Sequence, residues 1–243
     1  MANILITACY DLNDKEGLDK KRLLIFNKYR QLTDLCIRSF RKNLKDLDEV
    51  IVLEGLAENY HRMFQDIYYR IKKIYQAGDC NILWVDSDSV CIKPTEIFGK
   101  YDKFVMFDIQ NQFCSYSHKV EPKLYYHLKP WMMSNVRYYP VGAITNEMWE
   151  TGDKIASDWK DVWAYECIIY NTLFHMQGMS PEEIREKIYD PRLNFQDIGG
   201  HNSTNPSISL HHNGPHIMHI HGSRNVDAAI KAMTTYLKNA GIS

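Results

Sequence analysis

Two aspartates stand one residue apart in "NILWVDSDSV", directly after a short apolar segment. They are Asp86 and Asp88, and the apolar segment is residues 82–85. Carboxylates at this spacing, where a strand ends and the chain turns, can both reach one hard divalent cation, and that cation can bind a diphosphate. The pair therefore predicts a Mg²⁺ or Mn²⁺ site that holds a phosphorylated ligand.

The sequence repeats this spacing once in a different context. Asp46 and Asp48, in "NLKDLDEVIV", follow a polar helical pattern and predict a solvated loop. The residues before Asp86 are instead apolar and β-prone, which is typical of a strand buried on both faces. Ligands of open α/β sheets bind at the carboxyl ends of the strands, so the context of Asp86 and Asp88 favours a functional role.

A third metal ligand is expected from the histidine-rich segment "HHNGPHIMHIHG" near the end of the chain. Alternate residues of a strand share one face, which groups Ile217, His219 and His221. His219 is the first candidate for the ligand, and His221 is the alternative. A separate zinc site is a weaker interpretation, because no cysteine lies nearby and the spacing matches no standard zinc pattern.

The elements that would position these residues follow from hydrophobic periodicity. Helical stripes alternate with strands, which predicts a parallel sheet with helices on its faces. Gly78 is expected to end the second helix, and the polar segment 9–21 is expected to be a loop that binds or covers a ligand. The predicted strands of the first half are residues 3–8, 49–55, 81–85 and 103–109.

The pattern changes after about residue 110 and predicts a second lobe. An aromatic-rich region precedes helical segments around 146–176, and Ser180 caps a short helix that ends before Pro191. A mostly irregular stretch then leads to a strand within 216–222 and a final amphipathic helix near 226–239.

Composition excludes several classes of function. The formal charge is -1, from 29 basic and 30 acidic residues, so no nucleic-acid partner is expected. The apolar runs are far shorter than a membrane span, and the N-terminus lacks the pattern of a secretory signal. We therefore expect no transmembrane segment, a cytoplasmic location and reduced, buried cysteines, including Cys9 and Cys91 beside the ligand edge.

The D-x-D in this context, together with His219-Ile220-His221-Gly222, resembles the metal-dependent, nucleotide-sugar-using glycosyltransferases of the GT-A fold. The glycogenin-like and bacterial galactosyltransferase-like branch is nearest, and there the histidine of a late His-x-x-Gly binds the metal. A helix before the D-x-D of that branch carries an arginine that faces the diphosphate. In this sequence, Arg70 and Lys73 lie at a similar distance before Asp86.

The resemblance implies an α/β GT-A (Rossmann-like) fold, with a mixed, mainly parallel sheet flanked by helices and an abutting acceptor-side lobe. It implies one catalytic domain over 1–243, divided into a nucleotide-sugar-binding half, 1–110, and an acceptor-side half, 111–243, with the metal-ligand strand and a final helix. The nucleoside pocket would consist of the backbone around Thr7, Ala8 and Cys9, with Tyr10 stacked on the base.

Asp88 and His219 would hold the cation, and Asp86 would contact the cation or the ribose. The branch usually continues Gly-x-x-Lys-Pro-Trp, in which the lysine binds phosphate. Here Gly222 is followed by Arg224, which is expected to replace that lysine from one position earlier in the sequence.

The Asp-Gln pair of the branch is missing. Glu166, in "WAYECIIYN", is the first candidate for a base in an inverting reaction, and Asp197 is the second.

The predicted function is transfer of a hexosyl group from a nucleoside-diphosphate sugar, with a UDP-sugar as the first expectation, to a carbohydrate or other hydroxyl acceptor. Mn²⁺ or Mg²⁺ is the expected cofactor. One alternative is a haloacid-dehalogenase-type phosphatase with Asp86 as nucleophile, because "LWVDSDSV" and "TGDKIASD" resemble its motifs. Another is a nucleotide-sugar-binding protein without catalysis.

Overall fold

The computed structural model describes residues 1–12, 19–110, 131–158, 165–178, 195–197, 217–219 and 226–242. The strands are β1 (Ala2–Leu12), β2 (Glu49–Ala57), β3 (Cys80–Val85), β4 (Ser89–Cys91), β5 (Val105–Gln110), β6 (Trp131–Tyr139), β7 (Phe195–Asp197) and β8 (Ile217–His219). The helices are α1 (Asp19–Asn43), α2 (Tyr60–Ala77), α3 (Asn146–Asp158), α4 (Tyr165–His175) and α5 (Val226–Asn239).

The main sheet has five strands in the order β2-β1-β3-β6-β5. Strand β1 is parallel to both β2 and β3, whereas β6 is antiparallel to its neighbours β3 and β5. Four strands therefore run in one direction and β6 runs in the other. This arrangement confirms the predicted mixed, mainly parallel α/β sheet with flanking helices.

The central strand β3 is completely buried. All six of its residues are buried, which explains why residues 82–85 form a continuous apolar run. Strand β6 comes from the second half of the chain but lies between β3 and β5. The main sheet is thus built from both halves of the sequence.

Helix α2 forms where the sequence supplies both a cap and an apolar stripe. The Asn59 side chain accepts a hydrogen bond from the Arg62 N–H at 3.0 Å, and Ile67 and Ile71 lie buried on the face that packs on the sheet. The helix ends at Ala77. Gly78 follows it with a φ of -159°, so the chain leaves the helix in an extended conformation and not in a left-handed turn.

The predicted loop 9–21 is shorter than expected. Strand β1 continues to Leu12, because residues 9–12 pair in register with residues 54–57 of β2, and α1 begins at Asp19. The short strands β4 and β7 were also not expected. They form a second sheet in the order β4-β8-β7, in which each three-residue strand depends on partners distant in sequence. Within the described ranges, no helix is long and apolar enough to span a membrane.

Gly152 leaves room on α3 for the side chain of Tyr68 from α2, and we expect Gly152→Ala to destabilise the protein by about 1–2 kcal/mol. A Cβ at this position would clash with the Tyr68 hydroxyl and lie 3.1 Å from Tyr68 Cζ. The Tyr68 ring is fixed, because its hydroxyl hydrogen-bonds to the Trp149 carbonyl at 3.2 Å and to Asp153 at 3.1 Å. Overpacking typically costs ~1–3 kcal/mol and outweighs the helical gain of up to ~1 kcal/mol from alanine.

Urea denaturation measures this effect, with Gly78→Ala as the control. A Cβ at Gly78 meets nothing within 4 Å, so that variant should be as stable as the parent. A Gly152→Ala variant more stable than the parent would show that helix propensity dominates.

Candidate functional site

The two aspartates lie in a tight turn at the carboxyl end of β3. The Asp86 carbonyl accepts a hydrogen bond from the Ser89 N–H at 3.0 Å, so the chain makes a turn between β3 and β4. The Trp84 indole N–H donates to Asp86 Oδ1 at 3.0 Å. Asp86 and Asp88 are partly exposed. Both residues therefore reach the surface at the edge of the sheet where α/β proteins bind ligands.

Residues of helix α1 hold this turn and β4 in place through hydrogen bonds. Ser39 Oγ accepts a hydrogen bond from the Cys91 N–H at 3.0 Å and donates to the Cys36 carbonyl at 2.6 Å. The Asn43 side-chain amide donates to the Cys91 carbonyl at 2.7 Å, and the Cys36 thiol lies 3.8 Å from the Asp86 carbonyl. These contacts fix both β4 and the turn that carries the aspartates.

The Ser39 contact should be costly to remove, because Ser39→Ala leaves the Cys91 N–H without this acceptor in a fully buried position. We expect a loss of about 1–3 kcal/mol in the free energy of unfolding, measured by urea denaturation. Thr235→Ala is the matched control, since Thr235 donates to the Lys231 carbonyl on an exposed face. Equal effects of the two substitutions would contradict a special role for Ser39.

The small sheet places two predicted positions, His219 and Asp197, next to each other and beside Ser89. In the antiparallel pair of β4 and β8, Ser89 lies opposite His219. In the parallel pair of β7 and β8, Asp197 lies beside His219. The backbone of the histidine strand therefore lies against the strand that directly follows Asp88. Among the side chains that the structure describes, no three His, Cys, Asp or Glu residues form a metal-binding group.

Glu166 lies on α4 and is almost fully buried, with 8% of its surface exposed. Burial raises the pKa of this carboxyl to about 7, and the charge of Asp86 contributes to the rise, whereas that of Arg137 opposes it. Glu166 Oε2 has no hydrogen-bond partner within the described ranges. Glu166 is thus a buried acid with a pKa near neutrality, close enough to Asp86 for the two charges to repel each other.

Sequence reasoning missed Arg137, which lies opposite Trp84 on β6 and is only 3% exposed. Its guanidinium carbon lies 4.8 Å from the centroid of the Trp84 ring and 3.6 Å from that of Tyr170. The sequence does offer a signal: Arg137 stands in the aromatic segment "NVRYYP", where a buried strand is plausible. Arginine is rarely buried without a specific reason, so its presence in such a strand indicates a role.

Arg70 and Tyr10 belong to a hydrogen-bond network that joins α2 to strands β1 and β2. The Tyr10 hydroxyl donates to Asp66, and Arg70 Nη1 donates to the Tyr10 hydroxyl at 3.1 Å and to the Glu54 carbonyl at 2.8 Å. Tyr10 is 8% exposed, and Lys73 is exposed on α2. In this arrangement Arg70 binds protein groups. Its contact with a diphosphate, like the stacking of Tyr10 on a base, stays a prediction.

The predicted nucleoside pocket lies within β1. Pairing between β1 and β3 ends at Ile6 and Trp84, and continuing this register brings Ala8 level with Asp86. Residues 7–10 pair with β2 and run past the end of β3, beside the aspartate turn. The side chains of Thr7 and Cys9 are buried, so the strand could offer a ligand mainly its backbone.

The cysteines at this edge behave as packing residues. Cys9 borders a cavity of about 460 Å³ between α1 and strands β1 and β2. Burial raises the pKa of the Cys9 thiol, and it raises that of Cys91 to about 12, so both stay protonated at neutral pH. The described cysteines are all buried and in the thiol form, at positions Cys9, Cys36, Cys80, Cys91 and Cys167.

Other predicted positions lie outside the described residues. These are His221, Gly222, Arg224 and the short helix expected after Ser180.

No protein-family model and no curated protein sequence matches this chain. Solved structures do. A glycosyltransferase involved in glycosylation of the major capsid of PBCV-1 superposes with a TM-score of 0.52 at 12% identity, over 97% of this chain and 100% of that one. An active-site mutant of LgtC gives 0.52 at 11% identity, over 97% of this chain and 95% of that one.

The apo structure of the bifunctional glycosyltransferase WbbM gives a TM-score of 0.54 at 12% identity, over 98% of this chain. The match spans 51% of the WbbM chain. At these identities the similarity establishes the fold: this chain has the fold of these glycosyltransferases.

Proposed function

We propose that this protein is a glycosyltransferase that requires a divalent cation and a nucleoside-diphosphate sugar. A UDP-sugar is the first candidate donor, and a carbohydrate or another hydroxyl compound is the acceptor. One observation carries the proposal: the Asp86–Asp88 turn follows the central strand, and the next residue, Ser89, pairs with His219, in a chain with the fold of known glycosyltransferases.

The available donor groups suit Mn²⁺ or Mg²⁺. Two partly exposed carboxylates are hard oxygen donors, and an imidazole on the adjoining strand would add a nitrogen that Mn²⁺ accepts. In the proposal, Asp88 and His219 hold the cation, and Asp86 contacts the cation or the ribose. When bound, the cation would neutralise charge on the departing diphosphate.

The remaining donor contacts are assigned to residues around this turn. The backbone of Thr7, Ala8 and Cys9 would bind the nucleoside, because it runs beside Asp86 beyond the last β1–β3 pair. Arg224, with Gly222, would supply positive charge and backbone N–H groups to the phosphates. Arg70 could join them only after exchanging its contacts with Tyr10 and the Glu54 carbonyl.

Glu166 is the proposed base. A carboxylate oxygen of Glu166 would accept the proton of the acceptor hydroxyl as the oxygen attacks the sugar. A pKa of about 7 suits this role, because an effective base is half ionised near the working pH. Asp197 is the second candidate, since its backbone lies beside His219.

The phosphatase alternative has less support. "TGDKIASD" lies within α3 and does not follow an apolar strand, and the similar solved structures are glycosyltransferases. Covalent phosphorylation of Asp86 would nevertheless establish it. A binding protein without catalysis would hold the nucleotide sugar and neither hydrolyse nor transfer it.

Thermal-shift measurements with a panel of nucleoside diphosphates and their sugars test the proposal. A ligand at 100 times its Kd stabilises the folded state by ~2.7 kcal/mol, which corresponds to about 5 °C or more for a chain of this size. We expect at least one nucleotide to give such a shift with Mn²⁺ and none with EDTA. Absence of any metal-dependent shift would contradict the proposed function.

A further inference from the structure

Arg137 occupies an unusual position for a cation. It lies on β6 between Trp84 of β3 and Met106 of β5, and only 3% of its surface is exposed. Its guanidinium carbon is 4.8 Å from the Trp84 ring centroid and 3.6 Å from the Tyr170 ring centroid. The charge is therefore held between two aromatic rings by cation–π contacts.

Packing alone does not explain this residue. Removing a guanidinium from water is costly, and an apolar side chain of similar size usually fills such a space at least as well. In addition, Arg137 Nε has no hydrogen-bond partner within the described ranges. A buried charge with incomplete pairing indicates a role that an apolar residue could not perform.

The neighbours of Arg137 connect it to the aspartate turn. Trp84, which carries the guanidinium on its ring, donates its indole N–H to Asp86 Oδ1 at 3.0 Å. Glu166 lies one helical turn before Tyr170 on α4, and it interacts electrostatically with both Arg137 and Asp86. Arg137 therefore lies close to Glu166, which Asp86 repels, and against the Trp84 ring that orients Asp86.

We propose that Arg137 is a positioning residue, which holds the Trp84 indole so that its N–H fixes the carboxylate of Asp86. The charge of Arg137 also offsets the repulsion between Asp86 and Glu166. The expected effect on metal binding rests on the proposed function, whereas the link from Arg137 through Trp84 to Asp86 is a property of the free protein.

Hydrogen exchange of the indole N–H groups, followed by ¹⁵N–¹H NMR on the full chain, tests this link without any ligand. In Arg137→Met we expect the Trp84 indole to exchange at least about 10-fold faster, because the ring loses the cation that holds it. Arg137→Lys should give an intermediate rate. The buried Trp149 indole is the internal reference and should keep its rate.

Lys72→Met is the matched control, because Lys72 is the cation over the other ring, 6.0 Å from the Trp149 centroid. It should leave Trp84 exchange unchanged. An unchanged Trp84 rate in Arg137→Met, or equal acceleration of Trp84 and Trp149, overturns the inference. If Arg137→Met does not fold, Arg137→Lys carries the exchange test, and a parental Trp84 rate in that variant overturns the inference. Trp84→Phe keeps an aromatic ring but has no indole N–H, so it is compared only in the nucleotide-binding measurement.

Metal-dependent nucleotide binding gives a second readout. We expect Arg137→Met and Trp84→Phe to raise the Mn²⁺ concentration for half-maximal UDP binding by ~10–100-fold, the usual effect of losing a residue that orients a metal ligand. Lys72→Met should not change it. Parental Mn²⁺ dependence in both variants overturns the inference, whereas a parent that binds no nucleotide contradicts only the proposed function.

Discussion

Replacing Asp88 with Asn should abolish Mn²⁺-dependent nucleotide binding and lower the rate of glycosyl transfer on the order of 1,000-fold or more. Asparagine has nearly the same shape as aspartate but carries no charge, and a neutral amide binds a hard divalent cation far less well. Asp88 lies in a partly exposed turn, so the substitution should leave the fold intact. The thermal shift with UDP and Mn²⁺ measures the first effect, and kcat/KM measures the second.

Asp46→Asn is the control for this substitution. Asp46 begins the other D-x-D of the chain, is exposed, and has a φ of 57°, which asparagine adopts readily. Its variant should bind nucleotide as the parent does. A parental Mn²⁺ half-saturation in Asp88→Asn would remove Asp88 from the metal site, provided that the melting temperature without metal is unchanged.

Sequence predicts best those elements whose pattern is local. Residues 82–85 form a continuous apolar run because β3 is covered on both faces. In α5, which has 14 residues, the buried residues recur at steps of three or four and share one face of the helix. Strands β4, β7 and β8 have only three residues each, so their pairing depends on partners distant in sequence. No local periodicity can reveal such pairing.

The same distinction applies to the candidate site. Asp86 and Asp88 were identified because the strand before them is local evidence of a ligand-binding edge. Arg137 was missed because its burial depends on Trp84, about 50 residues earlier, and on Tyr170 from another helix.

The position of Arg70 on its helix was predicted, but its partners were not. They are Tyr10 and the Glu54 carbonyl, which β1 and β2 supply.

Glu166→Gln should change how stability depends on pH. Burial raises the pKa of Glu166 from 4.5 to about 7, so the folded protein keeps a proton that the unfolded chain releases between these values. This contribution is fully present below pH 4.5 and is lost as the pH rises through 7, a decrease of about 3 kcal/mol. The Gln variant should lack this decrease. Urea denaturation without metal, from about pH 4 to about pH 8, compares the two slopes.

The same substitution should separate catalysis from nucleotide binding. If Glu166 accepts the proton of the acceptor hydroxyl, transfer by the parent rises with pH as Glu166 ionises, and Glu166→Gln lowers kcat by ~100- to 10,000-fold. The Mn²⁺-dependent affinity for UDP should stay within a few-fold of the parent, because the amide keeps the size of the carboxyl group. Glu150→Gln, on the exposed face of α3, should leave both quantities unchanged. A Glu166→Gln variant with parental kcat would shift the role of base to Asp197, and Asp197→Asn would then be the variant that loses activity.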